Sequence, residues 1–293
     1  MQSSDIDDLT KEQLFQLNQT APRLSQQSNA IGAELIRRLT PGTVSKAAQD
    51  KEAVGTPSEV LTLELVFQHT AIPVPRVRRV IQGRSSQFIV MDYIPGRQLS
   101  HVWPEMPLWK KLRVVFTLHD YVRQLRTIRR PRSTIPGPVA PLGHPARKCS
   151  SPLFDTKYDW RGPFASLDEL AAFFNDRYRI ALVAQRVGPA QAKARVRADP
   201  FDDRGPLVLT HQDINMRNII VGEDGRLWLI DWAWAGFYPR WFEYVAMRIQ
   251  SSHEETVVDR KEPLWDLLVP FICGPYYRQD KWFRGMVNGM WYR

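Results

Sequence analysis

The sequence predicts an α+β protein with a small, strand-rich N-terminal lobe and a larger, mainly helical C-terminal lobe. Short apolar runs separated by turn residues fill residues 33–93, whereas helical periodicity dominates after Ile94-Pro95-Gly96. The length of 293 residues, 43% of them hydrophobic and 24% charged, suits a globular chain of roughly two domains of about 150 residues. We therefore predict a first lobe at residues 1–93 and a second lobe at residues 94–293.

Two β-hairpins and one helix are predicted in the N-terminal lobe. The hairpins join residues 33–39 with 44–47 and residues 77–81 with 88–93. Pro41-Gly42 forms the first turn, because proline fixes φ and glycine accepts conformations that other residues avoid. Apolar residues at helical spacing follow Ser58, which is suited to cap the N-terminus of a helix over residues 58–69.

Helices dominate the predicted C-terminal lobe. Residues 108–129 carry apolar side chains at spacings of three and four, which predicts one buried face made of Leu112, Val115, Leu118, Val122, Leu125 and Ile128. Residues 167–187, 238–249 and 264–272 are further predicted helices. Seven prolines between Pro131 and Pro163 predict a long irregular loop, typical of a binding loop or a lid.

Composition narrows the class of protein. No run approaches the ~18 consecutive apolar residues of a membrane span, and the N-terminus MQSSDIDDLTKEQ is polar and acidic, unlike a signal peptide. We therefore expect a cytoplasmic protein without a membrane segment. Cys149 and Cys273 are too few for a disulfide framework or a cysteine zinc site, and we expect them to be ordinary buried or loop thiols.

The chain is basic, with 40 Lys and Arg against 31 Asp and Glu and a formal charge of +9. The basic residues are scattered except for one cluster, formed by Arg123, Arg126, Arg129, Arg130 and Arg132. No helix-turn-helix, RNA-binding or zinc-finger pattern accompanies them, so a nucleic-acid partner is not expected. We interpret the charge as a solvated surface, with an anionic small substrate left open.

The most informative segment is 207–232. Asp213 and Asn218 lie five residues apart in one loop, and a predicted hairpin with a Glu-Asp-Gly turn returns the chain to Asp231, thirteen residues after Asn218. Phosphoryl transfer needs this kind of set, because its transition state demands positioning and charge neutralisation. Mg²⁺ prefers hard oxygen ligands, which Asn218 and Asp231 supply.

A carboxylate that does not bind the metal can orient an acceptor hydroxyl and take its proton, and we assign this role to Asp213. His211 is then expected to brace the loop through its ring nitrogens. The alternative is a polar loop in which Asp and Asn serve turn chemistry only. The spacing His-x-Asp-x4-Asn-x12-Asp with apolar flanks favours the catalytic interpretation.

Several blocks in a fixed order resemble one family, the aminoglycoside phosphotransferase-like kinases of the protein-kinase-like fold, and its fungal branch in particular. The blocks are TAIPVPR at 70–76, FIVMDYIPG at 88–96, GPF at 162–164, LTHQD at 209–213, RNI at 217–219 and IDWAWAGFYP at 230–239. The resemblance implies a bilobal kinase-like fold with a nucleotide-binding N-terminal lobe and a catalytic C-terminal lobe. It also implies ATP and Mg²⁺ as cofactors and the hydroxyl group of a small molecule as the acceptor.

The same resemblance implies further nucleotide contacts in the first lobe. Lys46 corresponds to the lysine that grips the α- and β-phosphates, and Glu59 to its ion-pair partner, with Glu64 as the alternative. Asp92 and Tyr93, together with Met91, correspond to the hinge whose backbone meets the adenine edge.

The chain also departs from the family pattern. No Gly-x-Gly-x-x-Gly motif precedes Lys46, and the only candidate cover for the phosphates is the Ser-, Gln- and Asn-rich segment 25–32. Gln212 follows His211, at a position where members of the family frequently have glycine. The alternative function is therefore a nucleotide-binding pseudokinase or scaffold without turnover. Residues that could line the acceptor pocket are Trp160, Asp168, Glu169, Trp234, Tyr238 and Glu243, and the oligomeric state is left open.

Overall fold

The computed structural model describes residues 5–24, 36–49, 55–83, 87–130, 134–141, 143–155, 161–257 and 261–291. The chain forms two compact units. Unit 1 comprises Met1–Met106 and Met216–Ala233, and unit 2 comprises Pro107–Asn215 and Trp234–Arg293. Contacts thus group the segment 216–233 with the N-terminal residues, although it follows the helical region in sequence. The chain is an α+β protein, as predicted.

Unit 1 contains an antiparallel sheet in the order β1-β2-β4-β3. Its strands are β1 (Ile36–Arg38), β2 (Thr43–Ala47), β3 (Val77–Gln82) and β4 (Gln87–Asp92), and two helices accompany it, α1 (Lys11–Thr20) and α2 (Ser58–His69). Both predicted hairpins are confirmed within the described residues. One detail is wrong: Pro57 occupies the N-cap of α2 without a side-chain cap bond, and Ser58 is already the first helical residue.

A second sheet of unit 1 has the order β10-β9-β5. Its strands are β5 (Gly96–Gln98), β9 (Ile219–Gly222) and β10 (Leu227–Leu229), next to the short helix α3 (Leu99–Val102) and a 3₁₀ turn at Met216–Asn218. β9 and β10 form the predicted hairpin, in which Gly225 takes a positive φ of 75° that favours glycine at the turn. The register pairs Ile219 with Leu229, so this hairpin sets the spacing between Asn218 and Asp231.

Unit 2 is mainly helical around a small sheet in the order β6-β8-β11-β7. The strands are β6 (Arg129–Arg130), β7 (Gly137–Pro138), β8 (Leu207–Thr210) and β11 (Gly236–Tyr238). The helices are α4 (Leu108–Leu125), α5 (Leu167–Ala184), α6 (Pro189–Ala198), α7 (Phe242–Val257), α8 (Pro263–Cys273) and α9 (Tyr277–Met286). Stacked rings fill its core, with centroids 5.1 Å apart for Phe174 and Phe201 and 5.2 Å apart for Tyr238 and Phe242.

Sheet pairing changes where one predicted helix of unit 2 ends and where another begins. Arg129 and Arg130 pair with β8, so α4 ends at Leu125 rather than at residue 129, and residues 236–238 pair with β8, so α7 begins at Phe242. Leu112 was also predicted to be buried, but its side chain is 38% exposed. At about 100° per residue it lies roughly 120° around α4 from the buried Leu118.

Cys149 and Cys273 are buried free thiols, as expected. Burial raises the pKa of Cys149 to about 12, so this thiol is unreactive at neutral pH. Among the helices of the described residues, none is long and apolar enough to cross a membrane.

Candidate active site

The loop that carries Asp213 follows the buried strand β8 in unit 2. All four residues of β8 are buried, and the chain then turns sharply at Gln212, which has a φ of 64°. A left-handed conformation costs a residue with a Cβ about 1–2 kcal/mol and costs glycine almost nothing. The geometry therefore explains why glycine suits this position, and it shows that the loop holds a strained residue in place.

Two side-chain amides hold the carboxylate of Asp213. Gln250 Nε2 donates to Oδ1 at 2.6 Å, and Asn215 Nδ2 donates to the same oxygen at 2.8 Å. Only 9% of Asp213 is exposed. Its backbone N–H donates to His211 Nδ1 at 3.1 Å, which assigns the imidazole proton to Nε2 and agrees with the bracing role expected for His211. The carboxylate is thus oriented by neutral donors.

Glu243 of α7 fixes the backbone of the same loop. Its carboxylate accepts from the backbone N–H of His211 at 2.6 Å and from that of Gln212 at 2.9 Å. Burial raises the pKa of Glu243 to about 7, although these two bonds and the charge of Arg126 oppose the rise. Glu243 was expected at the wall of an acceptor pocket, but it is only 1% exposed and supports the backbone of the loop that carries Asp213 instead.

In unit 1, Lys46 lies between two carboxylates. Its Nζ is 2.7 Å from Glu59 Oε1 and 2.6 Å from Asp231 Oδ1. Glu59 Oε1 also accepts from the backbone N–H of Trp232 at 3.2 Å. Glu59 rather than the alternative Glu64 is therefore the partner of Lys46, since Glu64 points to an exposed position on α2. We call Lys46, Glu59, Asn218, Asp231 and Trp232 the Lys46 cluster.

The charges of the Lys46 cluster are buried to different degrees. Lys46 and Glu59 are each 5% exposed, whereas the Asp231 side chain is 35% exposed. Burial alone lowers the pKa of Lys46, but the two carboxylates outweigh it and raise the pKa above its ordinary value. Burial raises the pKa of Glu59, and the ammonium of Lys46 opposes that rise. The lysine therefore stays protonated.

The β9–β10 hairpin positions the two predicted metal ligands within unit 1. Asn218 directly precedes β9, and its backbone carbonyl accepts from the N–H of Ile230 at 3.0 Å. Asp231 comes directly after Ile230 and has a φ of 65°. Their amide and carboxylate oxygens fit a Mg²⁺ ion, which is commonly held by one or two protein oxygens together with substrate phosphates. The described residues contain no cluster of three His, Cys, Asp or Glu side chains that could hold a metal by themselves.

The predicted hinge has other partners in unit 1. The backbone N–H of Asp92 donates to the carbonyl of Arg76 at 3.0 Å, and that of Tyr93 donates to the carbonyl of Gly42 at 2.8 Å. The Asp92 carboxylate pairs with Arg78 Nε at 2.6 Å, and the guanidinium of Arg38 lies 3.2 Å from the centroid of the Tyr93 ring. Adenine recognition by Asp92 and Tyr93 stays a prediction, and their carbonyl groups would have to carry it.

Sequence reasoning missed the side chains that hold the loop. Asn215 lies two residues from Asp213, a spacing typical of local side-chain to backbone bonds, and this signal could have identified it. Gln250 lies 37 residues away on α7, and no local pattern marks it. The predicted phosphate cover at 25–32 and the pocket residue Trp160 lie outside the described residues.

Comparisons with known proteins give one matching sequence family and several solved structures that are similar to the chain. A sequence model of the phosphotransferase enzyme family matches residues 33–260. No curated protein matches the chain significantly. Among solved structures, a thermostable mutant of aminoglycoside phosphotransferase APH(4)-Ia is 14% identical, with a TM-score of 0.49, covering 96% of this chain and 98% of that one. Aminoglycoside phosphotransferase APH(3'')-Id from Streptomyces rimosus is 15% identical, with a TM-score of 0.46 and coverages of 86% and 87%.

Proposed function

The chain belongs to the phosphotransferase enzyme family, and on that premise we propose that it transfers the γ-phosphoryl group of ATP to a hydroxyl group of a small molecule in a Mg²⁺-dependent reaction. Membership of the family shows that the chain is a phosphotransferase that acts on small molecules. The nucleotide, the metal and the assignment of roles to residues are our proposal.

The observation that carries the proposal is the pairing of Lys46 with both Glu59 and Asp231. These three residues come from β2, α2 and the segment after β10, and a packing role alone does not require two acids around one buried lysine. Replacing a buried ion pair with apolar residues is often neutral or stabilising, so stability alone does not account for this cluster of charges. In our proposal Lys46 binds the α- and β-phosphates, and Glu59 keeps the ammonium oriented.

Asn218 and Asp231 would hold Mg²⁺ through their side-chain oxygens. A bound Mg²⁺ supplies neutralisation of the charge on the β- and γ-phosphate oxygens. Asp231 is the more exposed of the two acids around Lys46, which suits a group that must reach a ligand. Nucleotide phosphates would offer Lys46 further anionic partners, which would leave the Asp231 carboxylate available as a metal ligand.

Asp213 would act on the acceptor. The hydroxyl oxygen attacks the γ-phosphorus, its proton passes to the Asp213 carboxylate, and the bond from the γ-phosphorus to the bridging oxygen of ADP breaks. Gln250 and Asn215 fix the carboxylate in advance, so less orientation has to be found during the reaction. Both amides donate to the carboxylate, which leaves them no part in the proton transfer itself.

The direct test is acceptor-dependent ADP release in the presence of ATP and Mg²⁺, measured across amino sugars, amino alcohols and nucleosides. We expect at least one class to raise ADP release above the rate without acceptor, and mass spectrometry to show one added phosphoryl group. Tight Mg²⁺-ATP binding without turnover on any acceptor would favour the pseudokinase alternative. Asp213→Asn serves as the matched control, since it should remove the acceptor-dependent rate.

A further inference from the structure

Unit 2 contains a cavity of about 340 Å³ that none of the catalytic residues lines. Four segments form its wall: the C-terminal half of α4, the residues from there into β6, Arg240 just before α7, and the C-terminal end of α8. The side chains used here are His119, Arg123, Arg126, Arg129, Arg240 and Ile272, and we call the site the arginine cavity. Three members of the arginine cluster seen in the sequence thus meet a fourth arginine from a distant segment.

The positive charge of the arginine cavity is only partly compensated. Arg123 pairs with Asp120 at 2.7 Å, and both side chains are exposed. Within the part of the chain that the structure describes, Arg126, Arg129 and Arg240 form no salt bridge with a carboxylate. Arg126 donates through Nη2 to the carbonyls of Arg240 and Cys273, while its Nε is buried without a hydrogen-bond partner.

Arg129 and Arg240 bring two further positive charges to Arg126 and the paired Arg123, and converging guanidinium groups repel one another. A ligand with several anionic oxygens removes this repulsion, because guanidinium groups bind tetrahedral oxyanions with paired, charge-assisted hydrogen bonds. A volume of about 340 Å³ lies at the lower end of the ~300–1,000 Å³ typical of small-molecule sites. We infer that the arginine cavity is a second ligand site, which binds a phosphoryl group carried by a small organic molecule.

An apolar rim next to the cavity accounts for the organic part of the ligand. Ile272 belongs to the wall, the Phe271 ring lies 4.9 Å from the His119 ring, and the Phe116 ring lies 5.0 Å from Phe271. Phe116 is 59% and Phe271 is 41% exposed. A soluble phosphate monoester and the head group of phosphatidic acid both carry a monoester phosphate on an organic group, so this is the shared chemistry that the site would recognise.

The test compares the parent with Arg129→Gln/Arg240→Gln. Both side chains are exposed, so the substitutions remove charge without opening the core. Arg195→Gln/Arg197→Gln on the exposed side of α6 makes the same chemical change elsewhere and is the matched control. Inorganic phosphate is titrated against each protein at constant ionic strength, with the melting temperature and calorimetric affinity as readouts and chloride as the reference anion.

We expect phosphate to stabilise the parent and the control equally. The phosphate affinity of Arg129→Gln/Arg240→Gln should be lower by a factor of about ten or more. Arg129→Lys/Arg240→Lys retains the charge without the paired geometry and should fall between them. Equal phosphate affinity in both Gln variants would overturn the proposal, because the anion would then bind elsewhere, for example beside Lys46. Absence of any phosphate response in the parent would overturn it as well.

Two further measurements identify the source of the phosphate. Phosphatidylcholine vesicles with and without phosphatidic acid are sedimented with each protein, and glycerol 3-phosphate is titrated in parallel. Binding that requires phosphatidic acid and is lost in Arg129→Gln/Arg240→Gln assigns a lipid head group. Binding of glycerol 3-phosphate with the same arginine dependence, without sedimentation, assigns a soluble ligand. The proposed site would be contradicted if both responses were independent of Arg129 and Arg240.

Discussion

The Lys46 cluster and the surroundings of Asp213 hold their acidic residues in opposite ways. Asp231 in unit 1 is held by a cation, at 2.6 Å from Lys46 Nζ. Asp213 in unit 2 is held by the neutral amides of Gln250 and Asn215, at 2.6 and 2.8 Å. Asp231 is also the more exposed of the two.

The contrast follows from the chemistry that each acid is proposed to perform. A nucleotide-binding cluster must be ready for several phosphate charges, so a lysine stored between two carboxylates can exchange one anion for another. A base must keep its affinity for a proton, and a cation in direct contact would lower that affinity. The amides of Gln250 and Asn215 orient the carboxylate, and because they carry no charge they lower this affinity less than a cation would. Four substitutions test the division of labour.

The largest effect is expected from Asp213→Asn. The variant should keep near-parental affinity for Mg²⁺-ATP and lose transfer by at least about 10²- to 10⁴-fold, because it removes the base and retains a similar shape. ADP release and calorimetry on one preparation measure both quantities. If the residue merely capped the loop, the melting temperature and nucleotide affinity would fall together.

Lys46→Met should weaken nucleotide capture and slow transfer on the order of 10²-fold, since a phosphate-facing charge is lost. It also leaves Glu59 buried without its cation, so the free energy of unfolding should fall by about 3 kcal/mol or more. Urea unfolding and ADP release measure the two effects. Lys46→Arg retains the charge and is the control. Unchanged turnover in Lys46→Met would remove the lysine from the mechanism.

Glu243 predicts a pH dependence of stability. Its folded pKa of about 7 lies above the ordinary value of 4.5, so its contribution is fully present below about pH 4.5 and is lost as the pH rises through about 7. The free energy of unfolding should fall over this range by up to about 3 kcal/mol. Urea unfolding at several pH values should show this slope in the parent and a smaller one in Glu243→Gln. Identical slopes would contradict the raised pKa.

The smallest effect is expected from Gln250→Leu. It removes one of the two amides that orient Asp213, and turnover should fall about tenfold with little change in the KM for ATP. Gln279→Leu is the matched control, because Gln279 Nε2 also donates to an aspartate, Asp202, at 2.6 Å. Equal turnover in the two variants would show that Gln250 does not position the base.

The sequence predicted the elements of the fold better than their ends. Both hairpins of the first sheet and the helix α2 are present, because turn residues and helical spacing act over a few residues. The early end of α4 was not predictable locally, since Arg129 and Arg130 leave the helix to pair with β8, almost eighty residues later in the chain. Leu112 followed the spacing but lies outside the buried face.

The residues of the candidate site also differ in whether local sequence could predict them. Spacing alone predicted roles for Asp213, Asn218 and Asp231, because one loop and one hairpin carry them, and these roles stay predictions. Resemblance to the family was needed for Lys46 and Glu59, which the structure brings together with Asp231. Gln250 and Glu243 required the structure, since α7 packs them against the loop from 37 and 32 residues away.

The most direct test of the central claim is a calorimetric titration of Mg²⁺-ATP into Asp231→Asn and Asp213→Asn, side by side. The two variants make the same chemical change, and titration with ATP alone isolates the part of the affinity that depends on Mg²⁺. Separate roles predict that Asp231→Asn loses this Mg²⁺-dependent affinity while Asp213→Asn retains it. Equal retention or equal loss in the two folded variants would contradict the division between a nucleotide-binding cluster and a catalytic base.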